Sequence, residues 1–284
     1  MGAATFRKGV TLVRPNTGRA HPRERALRVL RLVLHGGLFS CPGTADRLPI
    51  VSRRPRRVRT MTENLARYID QTLLKPEATP DDVRKLVADA RELAVFGVCV
   101  SPSLVTVAKE AAAGSDLAVV TVCGFPSGAH SAAVKADEAK RSVAEGADEI
   151  DMVINVGAAV SGDYSTTEQE IAAVRAAVPA PHLLKVIVES AALTDEQLTA
   201  VCRAATRAGA DFVKTSTGFH PTGGATVHAV EVMRAAISPQ VRIKASGGIR
   251  TLEDAEAMIA AGATRLGLSS ARTVLAGQAS TSAY

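Results

Sequence analysis

The amino-acid sequence predicts an α/β fold, a single-domain (β/α)8 TIM barrel. Three observations carry that expectation. From about Asn64 onward, short apolar runs alternate with helix-like runs of 10–16 residues, giving eight strands and about eight helices in roughly 215 residues. The core must be built from Ala, Val, Leu and Ile, because Trp is absent and aromatic residues make up only 3%; branched side chains of this kind suit parallel strands buried on both faces. An open doubly wound sheet should carry a glycine-rich turn after its first strand, and Gln71-Thr-Leu-Leu-Lys-Pro76 has none.

Strands are expected at 68–73, 97–100, 118–123, 149–155, 183–189, 212–215, 242–245 and 265–269. The helices between them are marked by their starts. Thr79-Pro-Asp-Asp82 supplies a cap, a first-turn proline and two acids; Thr194-Asp-Glu-Gln197 is a capping box, and Thr251-Leu-Glu-Asp254 repeats the pattern. Three helices should end alike, at Glu145-Gly-Ala-Asp148, Ala208-Gly-Ala-Asp211 and Ala261-Gly-Ala-Thr264, with the glycine in a left-handed conformation and the next strand following at once.

Residues 1–60 stand apart. They hold fourteen Lys and Arg against two Asp and Glu, whereas the remaining 224 residues have a net charge of −6. Prolines, glycines and arginines interrupt their periodic segments. The apolar stretch 27–39 is broken by Arg28 and Arg31 and ends in Gly36-Gly37. The barrel domain is therefore expected over 61–284, with 1–60 as a basic extension. Three readings of that extension stand: a disordered arm, an Arg-rich transit-like segment, or an early start codon with translation from Met61. The last is favoured, because the change in composition coincides with a methionine.

Function classes can be narrowed. No apolar run approaches the ~18 residues a membrane span needs, and no clean signal-peptide core is followed by a small-residue cleavage site. The overall charge of +6 belongs to the extension, so the mildly acidic body is not expected to bind nucleic acid. Cys41, Cys99, Cys123 and Cys202 form no Cys-x-x-Cys pair and have no His at metal spacing, which fits reduced structural thiols and a cytoplasmic protein. No metal site is expected.

The chemistry lies in charged residues within apolar strands. Side chains alternate faces along a strand. Ile150, Met152 and Ile154 suit the helix side, which turns Asp151 inward with Val153 and Asn155. The same parity turns Lys185, Ile187 and Glu189 inward on the fifth strand, Lys214 with Phe212 on the sixth, and Lys244 on the seventh. A buried ammonium is costly unless paired or used. A rim network of ion pairs is the plain alternative; amine catalysis is the functional one. A second ammonium ~4 Å away, at an effective dielectric of ~20, costs ~4 kcal/mol, or about three pKa units. That brings one lysine into the range of a usable nucleophile, with Asp151 and Lys185 placed to move protons. Charge and parity treat Lys214 and Lys244 alike.

Beyond these strands, Ser246-Gly247-Gly248-Ile-Arg250 and Leu266-Gly267-Leu-Ser269-Ser270 fall after strands seven and eight, where this fold commonly binds phosphate. His130, His182, His220 and His228 read as loop or surface residues, and Asp148 and Asp211 as strand-start pairs on the opposite rim.

Glu149-Ile-Asp-Met-Val153, Leu184-Lys-Val-Ile187, Asp211-Phe-Val-Lys-Thr-Ser-Thr-Gly218, Lys244-Ala-Ser-Gly-Gly-Ile-Arg250 and Leu266-Gly-Leu-Ser-Ser270 together resemble the deoxyribose-phosphate aldolase family. The similarity runs from about Leu65 to the end. It implies a class I aldolase without metal or other cofactor. Such an enzyme cleaves 2-deoxy-D-ribose 5-phosphate reversibly to D-glyceraldehyde 3-phosphate and acetaldehyde, in deoxyribonucleoside catabolism. It further implies that Lys214 forms the Schiff base, that Lys244 lowers its pKa, and that Asp151 and Lys185 handle protons. Asp70 matches a family acid near the site, and Tyr284 matches a tail tyrosine that helps proton transfer. Gly218, Gly247, Gly248, Arg250, Gly267, Ser269 and Ser270 match the phosphate pocket. The implied partner is a phosphosugar, with no nucleic acid or membrane, and a homodimer is open to it. A phosphosugar epimerase or isomerase is the competing reading; it needs the phosphate loops but no amine pair.

Overall fold

A computed structural model of the chain describes residues 65–281. The extension 1–60 and Tyr284 lie outside the described residues. Eight strands, β1 (Ile69–Leu73), β2 (Gly97–Val100), β3 (Ala118–Cys123), β4 (Glu149–Val153), β5 (Leu183–Ile187), β6 (Phe212–Lys214), β7 (Arg242–Ser246) and β8 (Arg265–Leu268), pair in sequence order into a closed barrel. Neighbours are parallel throughout, including β1 with β8.

The helices begin where their caps dictate. Helices α1 (Pro80–Glu92), α6 (Asp195–Arg207) and α8 (Leu252–Ala260) each start on a complete capping box, from Thr79, Thr194 and Thr251. Side chains of Ser131, Asp163 and Thr226 cap α3 (Ala132–Ala144), α5 (Tyr164–Ala177) and α7 (Val227–Ala236). Shorter helices are α2 (Val105–Ala111), α4 (Val156–Val160) and α9 (Ala271–Leu275). The three expected glycine stops hold, with φ of 110° at Gly146, 83° at Gly209 and 119° at Gly262. Among the described residues no helix is long and apolar enough to cross a membrane.

Strand parity is as expected. Ile150, Met152, Ile154, Leu184, Val186, Val188, Val213, Ile243 and Ala245 all join the core between barrel and helices. The interior is divided. Leu74, Cys99, Val120 and Val122, from the β1–β3 side, form a small apolar cluster, while the charged residues come from β1 and β4–β8.

Two inward assignments need correction. Strands β4 and β5 end two residues earlier than expected. Asn155 leaves the strand and caps α4 by accepting from the Ala158 N–H at 3.1 Å. Glu189 adopts a left-handed φ of 53° before a short 3-10 turn, Ser190–Ala192. In each case a polar side chain serves a loop backbone that the strand ladder no longer satisfies.

Candidate active site

Asp151 is the hub of the barrel interior. It lies mid-strand on β4, fully buried, and its register partner on β5 is Lys185. Lys185 Nζ donates to Asp151 Oδ1 at 2.7 Å, while Lys214 and Lys244 donate to Oδ2 at 2.9 and 2.8 Å. Lys214 and Lys244 are themselves register partners across β6 and β7. Lys244 has a second carboxylate, Asp70 on β1, at 2.5 Å. Lys185 also has a second, Glu149, at 2.6 Å. Among the described residues Lys214 pairs with Asp151 alone. Asp70 in turn accepts from Arg265 at 2.8 Å, and Arg265 reaches Glu149 at 2.9 Å.

The four charged residues that parity turns inward, Asp151, Lys185, Lys214 and Lys244, thus come together in one bonded cluster with Asp70, which the resemblance places near the site. Arg265 and Glu149 are members that sequence reasoning missed. Both are the first residues of their strands, and neither was singled out as a charged member of the interior. The Arg265 guanidinium carbon lies 3.4 Å from the centroid of the Phe96 ring, a cation–π contact that helps hold it inside.

Electrostatics separate the two lysines. Burial and the neighbouring Lys244 lower the Lys214 pKa, and Asp151 opposes them without prevailing. Burial would also lower Lys244, but Asp151 and Asp70 outweigh it and hold that amine well above its ordinary value. Burial would raise Asp151, yet Lys185, Lys214 and Lys244 hold it well below the usual carboxylate range. Asp70 is lowered in the same way, burial being outweighed by Lys244 and then Arg265. Burial raises the thiols instead, Cys99 to about 11, Cys202 to about 12 and Cys123 further still, in keeping with inert core cysteines. Cys41 lies outside the described residues.

Four residues beyond Lys214 the chain enters a cavity of about 220 Å³ at the C-terminal ends of β6–β8. Gly218, Gly247, Gly248, Arg250, Gly267 and Ser269 are among the residues that line it. Ser270 is not among the lining residues; it sits at the start of α9. His220 and the pair Gly223-Gly224 also line the cavity, although His220 was read as loop structure and the glycines were not singled out. Gly224 is needed by close approach: a Cβ there would meet the Gly247 carbonyl oxygen at 2.3 Å. Backbone this close, with little side-chain bulk, offers N–H groups to an anion.

Two supports flank the site. Glu189 accepts from the Thr217 hydroxyl at 2.6 Å and fixes the loop after Lys214. Lys135 and Glu170, both buried on helices, pair at 2.7 Å, and Lys135 also donates to Val153 O at the end of β4. At the opposite rim Asp148 pairs with Lys109 and Asp211 with Arg175, as strand-start residues should. His228 pairs with Asp195 at the surface.

A closed barrel with buried amines beside a glycine-walled cavity at its strand C-termini defines a barrel enzyme of the lysine-bearing kind. The chain belongs to the DeoC/LacD family of aldolases, whose model matches residues 65–277. It is 58% identical over 216 residues to a deoxyribose-phosphate aldolase of Corynebacterium diphtheriae, covering 76% of this chain and 97% of that one. Against the deoxyribose-phosphate aldolase of Mycolicibacterium paratuberculosis it is 60% identical over 217 residues, covering 75% and 96%. Among solved structures, the tetrameric deoxyribose phosphate aldolase of Aeropyrum pernix superposes with a TM-score of 0.70 at 35% identity, over 76% of this chain and 91% of that one.

Proposed function

We propose that this chain cleaves 2-deoxy-D-ribose 5-phosphate reversibly to D-glyceraldehyde 3-phosphate and acetaldehyde, with Lys214 as the Schiff-base nucleophile. One observation carries the choice of lysine. Among the described residues Lys185 and Lys244 each touch two carboxylates, and Lys214 touches one. The amine with the fewest anionic partners most readily loses its proton, and only the neutral amine attacks a carbonyl.

In the cleavage direction the Lys214 amine adds to C1 of the open-chain sugar, and the carbinolamine loses water to give the Schiff base. A base then takes the proton of the C3 hydroxyl. The C2–C3 bond breaks, glyceraldehyde 3-phosphate leaves, and its bonding electrons remain on the enamine. Protonation at C2 and hydrolysis release acetaldehyde and restore the amine. Asp151 and Lys185 are assigned the proton transfers at the lysine side, through water, with Asp70 and Lys244 fixing Asp151 and Tyr284 assigned a proton transfer from the tail. No cofactor is needed, since the protonated imine is itself the electron sink.

The substrate phosphate is assigned to the cavity lined by Gly218, Gly247, Gly248, Arg250, Gly267 and Ser269, with Ser270 at its edge. Its dianion would be met by backbone N–H groups and the Arg250 guanidinium. The catalytic domain is taken as 61–284 and the setting as cytoplasmic, with a homodimer open to the assembly. The direct test supplies 2-deoxyribose 5-phosphate and measures acetaldehyde and triose phosphate. Equimolar release of both is expected. Consumption of the substrate to an isomeric pentose phosphate, with no acetaldehyde, would favour an isomerase instead.

A further inference from the structure

The ion pairs of the barrel interior close on themselves. Asp151 pairs with Lys244, Lys244 with Asp70, Asp70 with Arg265, Arg265 with Glu149, Glu149 with Lys185, and Lys185 with Asp151 again. Three carboxylates and three cations alternate around this loop of six. All six residues are buried. Lys214 hangs from it through Asp151 as a fourth cation with, among the described residues, no carboxylate of its own to match it. The ring is neutral when its six members are charged, so an ammonium at Lys214 is the one charge left over.

We propose that Arg265 and Glu149 are positioning residues for the reaction, closing a charge-balanced ring beneath Lys214 and thereby setting the protonation state in which that lysine meets its substrate. The assignment rests on Lys214 being the nucleophile. No ion pair joins Arg265 or Glu149 to Lys214 among the described residues, and neither lines the cavity. Glu149 lies two residues before Asp151 on β4, roughly 7 Å along the strand. Their effect on Lys214 is therefore electrostatic and transmitted through the ring. The groups that act on Lys214 directly are Asp151 on β4, Lys244 on β7 and Cys99 on β2; Asp70 on β1, Glu149 on β4, Lys185 on β5 and Arg265 on β8 join them through the ring, and Val120 and Val122 of β3 belong to the apolar cluster with Cys99.

The sign of each change follows from charge alone. Glu149→Gln removes an anion, leaves the interior more positive and favours the neutral amine. Arg265→Gln removes a cation and favours the ammonium. The double variant removes one of each and restores the balance. A unit charge roughly 10 Å away at an effective dielectric of ~20 moves a pKa by about one unit. The test follows acetaldehyde trapping on Lys214 by cyanoborohydride against pH, read by peptide mass, in proteins whose circular dichroism matches the parent. The acid limb should move down by about one pH unit in Glu149→Gln and up by about one in Arg265→Gln. In the double variant it should return to within about 0.3 unit of the parent. Arg265→Lys keeps the charge and should leave the limb in place, which preserves the contrast at one position should Glu149→Gln not fold. Limbs unmoved in the neutral variants, or moved the same way by both, would overturn the proposal. Absence of any Lys214 adduct in the parent protein would instead overturn the aldolase reading beneath it.

Discussion

Lys214 and Lys244 face each other across β6 and β7 and share one oxygen, Asp151 Oδ2, at 2.9 and 2.8 Å. Their environments nevertheless differ by one carboxylate, because among the described residues Asp70 pairs with Lys244 and not with Lys214. That difference sends their pKa values in opposite directions from the ordinary lysine value. A pair that strand parity treats as equivalent is thereby divided into an amine that can become neutral and an ammonium that stays charged.

Substitution should expose the division. Lys214→Ala removes the proposed nucleophile, and kcat/KM should fall about 10⁴-fold or more at every pH. Lys244→Met removes the cation that opposes protonation of Lys214 and leaves Asp70 and Asp151 short of a partner. Its kcat/KM should fall by about 10²–10³ near neutrality and recover in part as pH rises. Steady-state kinetics between about pH 6 and 9.5 distinguish the two.

Acid should remove activity before it removes the fold. As the proposed nucleophile Lys214 must be neutral to react, so activity should be lost as pH falls through its lowered pKa. Asp70 and Asp151 are depressed below 3.8, so the stability they contribute is fully present above that pH and is lost only as pH falls below it toward their folded values. Activity and circular dichroism followed over the same pH range should therefore separate, with the activity limb at the higher pH.

Gly224→Ala tests the cavity without touching the lysines. A Cβ there meets the Gly247 carbonyl carbon and oxygen at 2.4 and 2.3 Å, backbone atoms that cannot give way without moving the cavity wall. KM for the phosphosugar should rise about 10- to 100-fold, as expected when substrate binding is lost. Trapping of acetaldehyde on Lys214, which involves no phosphate, should stay within about twofold.

Lys135→Met should destabilise the barrel by about 3–5 kcal/mol, because it strands the buried Glu170 carboxylate. Pairing it with Glu170→Leu should recover much of that loss. Urea unfolding of the two variants gives the comparison.

The barrel was legible because its signals are local and repeated. Thr79, Thr194 and Thr251 announce helix starts, Gly146, Gly209 and Gly262 announce their ends, and the β2 and β3 bounds are those expected. The inward lysines were legible because alternation leaves a charged residue in an apolar strand only one face to occupy. Arg265 and Glu149 escaped notice because strand-start charges usually belong to a rim, and only barrel closure brings β8 and β4 residues together. Lys135 and Glu170 carry no strand parity at all; they lie on helices whose other charged residues are not buried. His220 and Gly224 depend on how a long loop after β6 folds back on Gly247, which no short-range pattern encodes.

Reductive trapping tests the central claim most directly. The protein is incubated with acetaldehyde and borohydride, digested, and its lysine peptides are mapped by mass. A single ethyl adduct on Lys214, absent when acetaldehyde is omitted, is the expected result. An adduct on Lys244 or Lys185 with Lys214 unmodified, or no adduct in protein that cleaves the sugar, would contradict it.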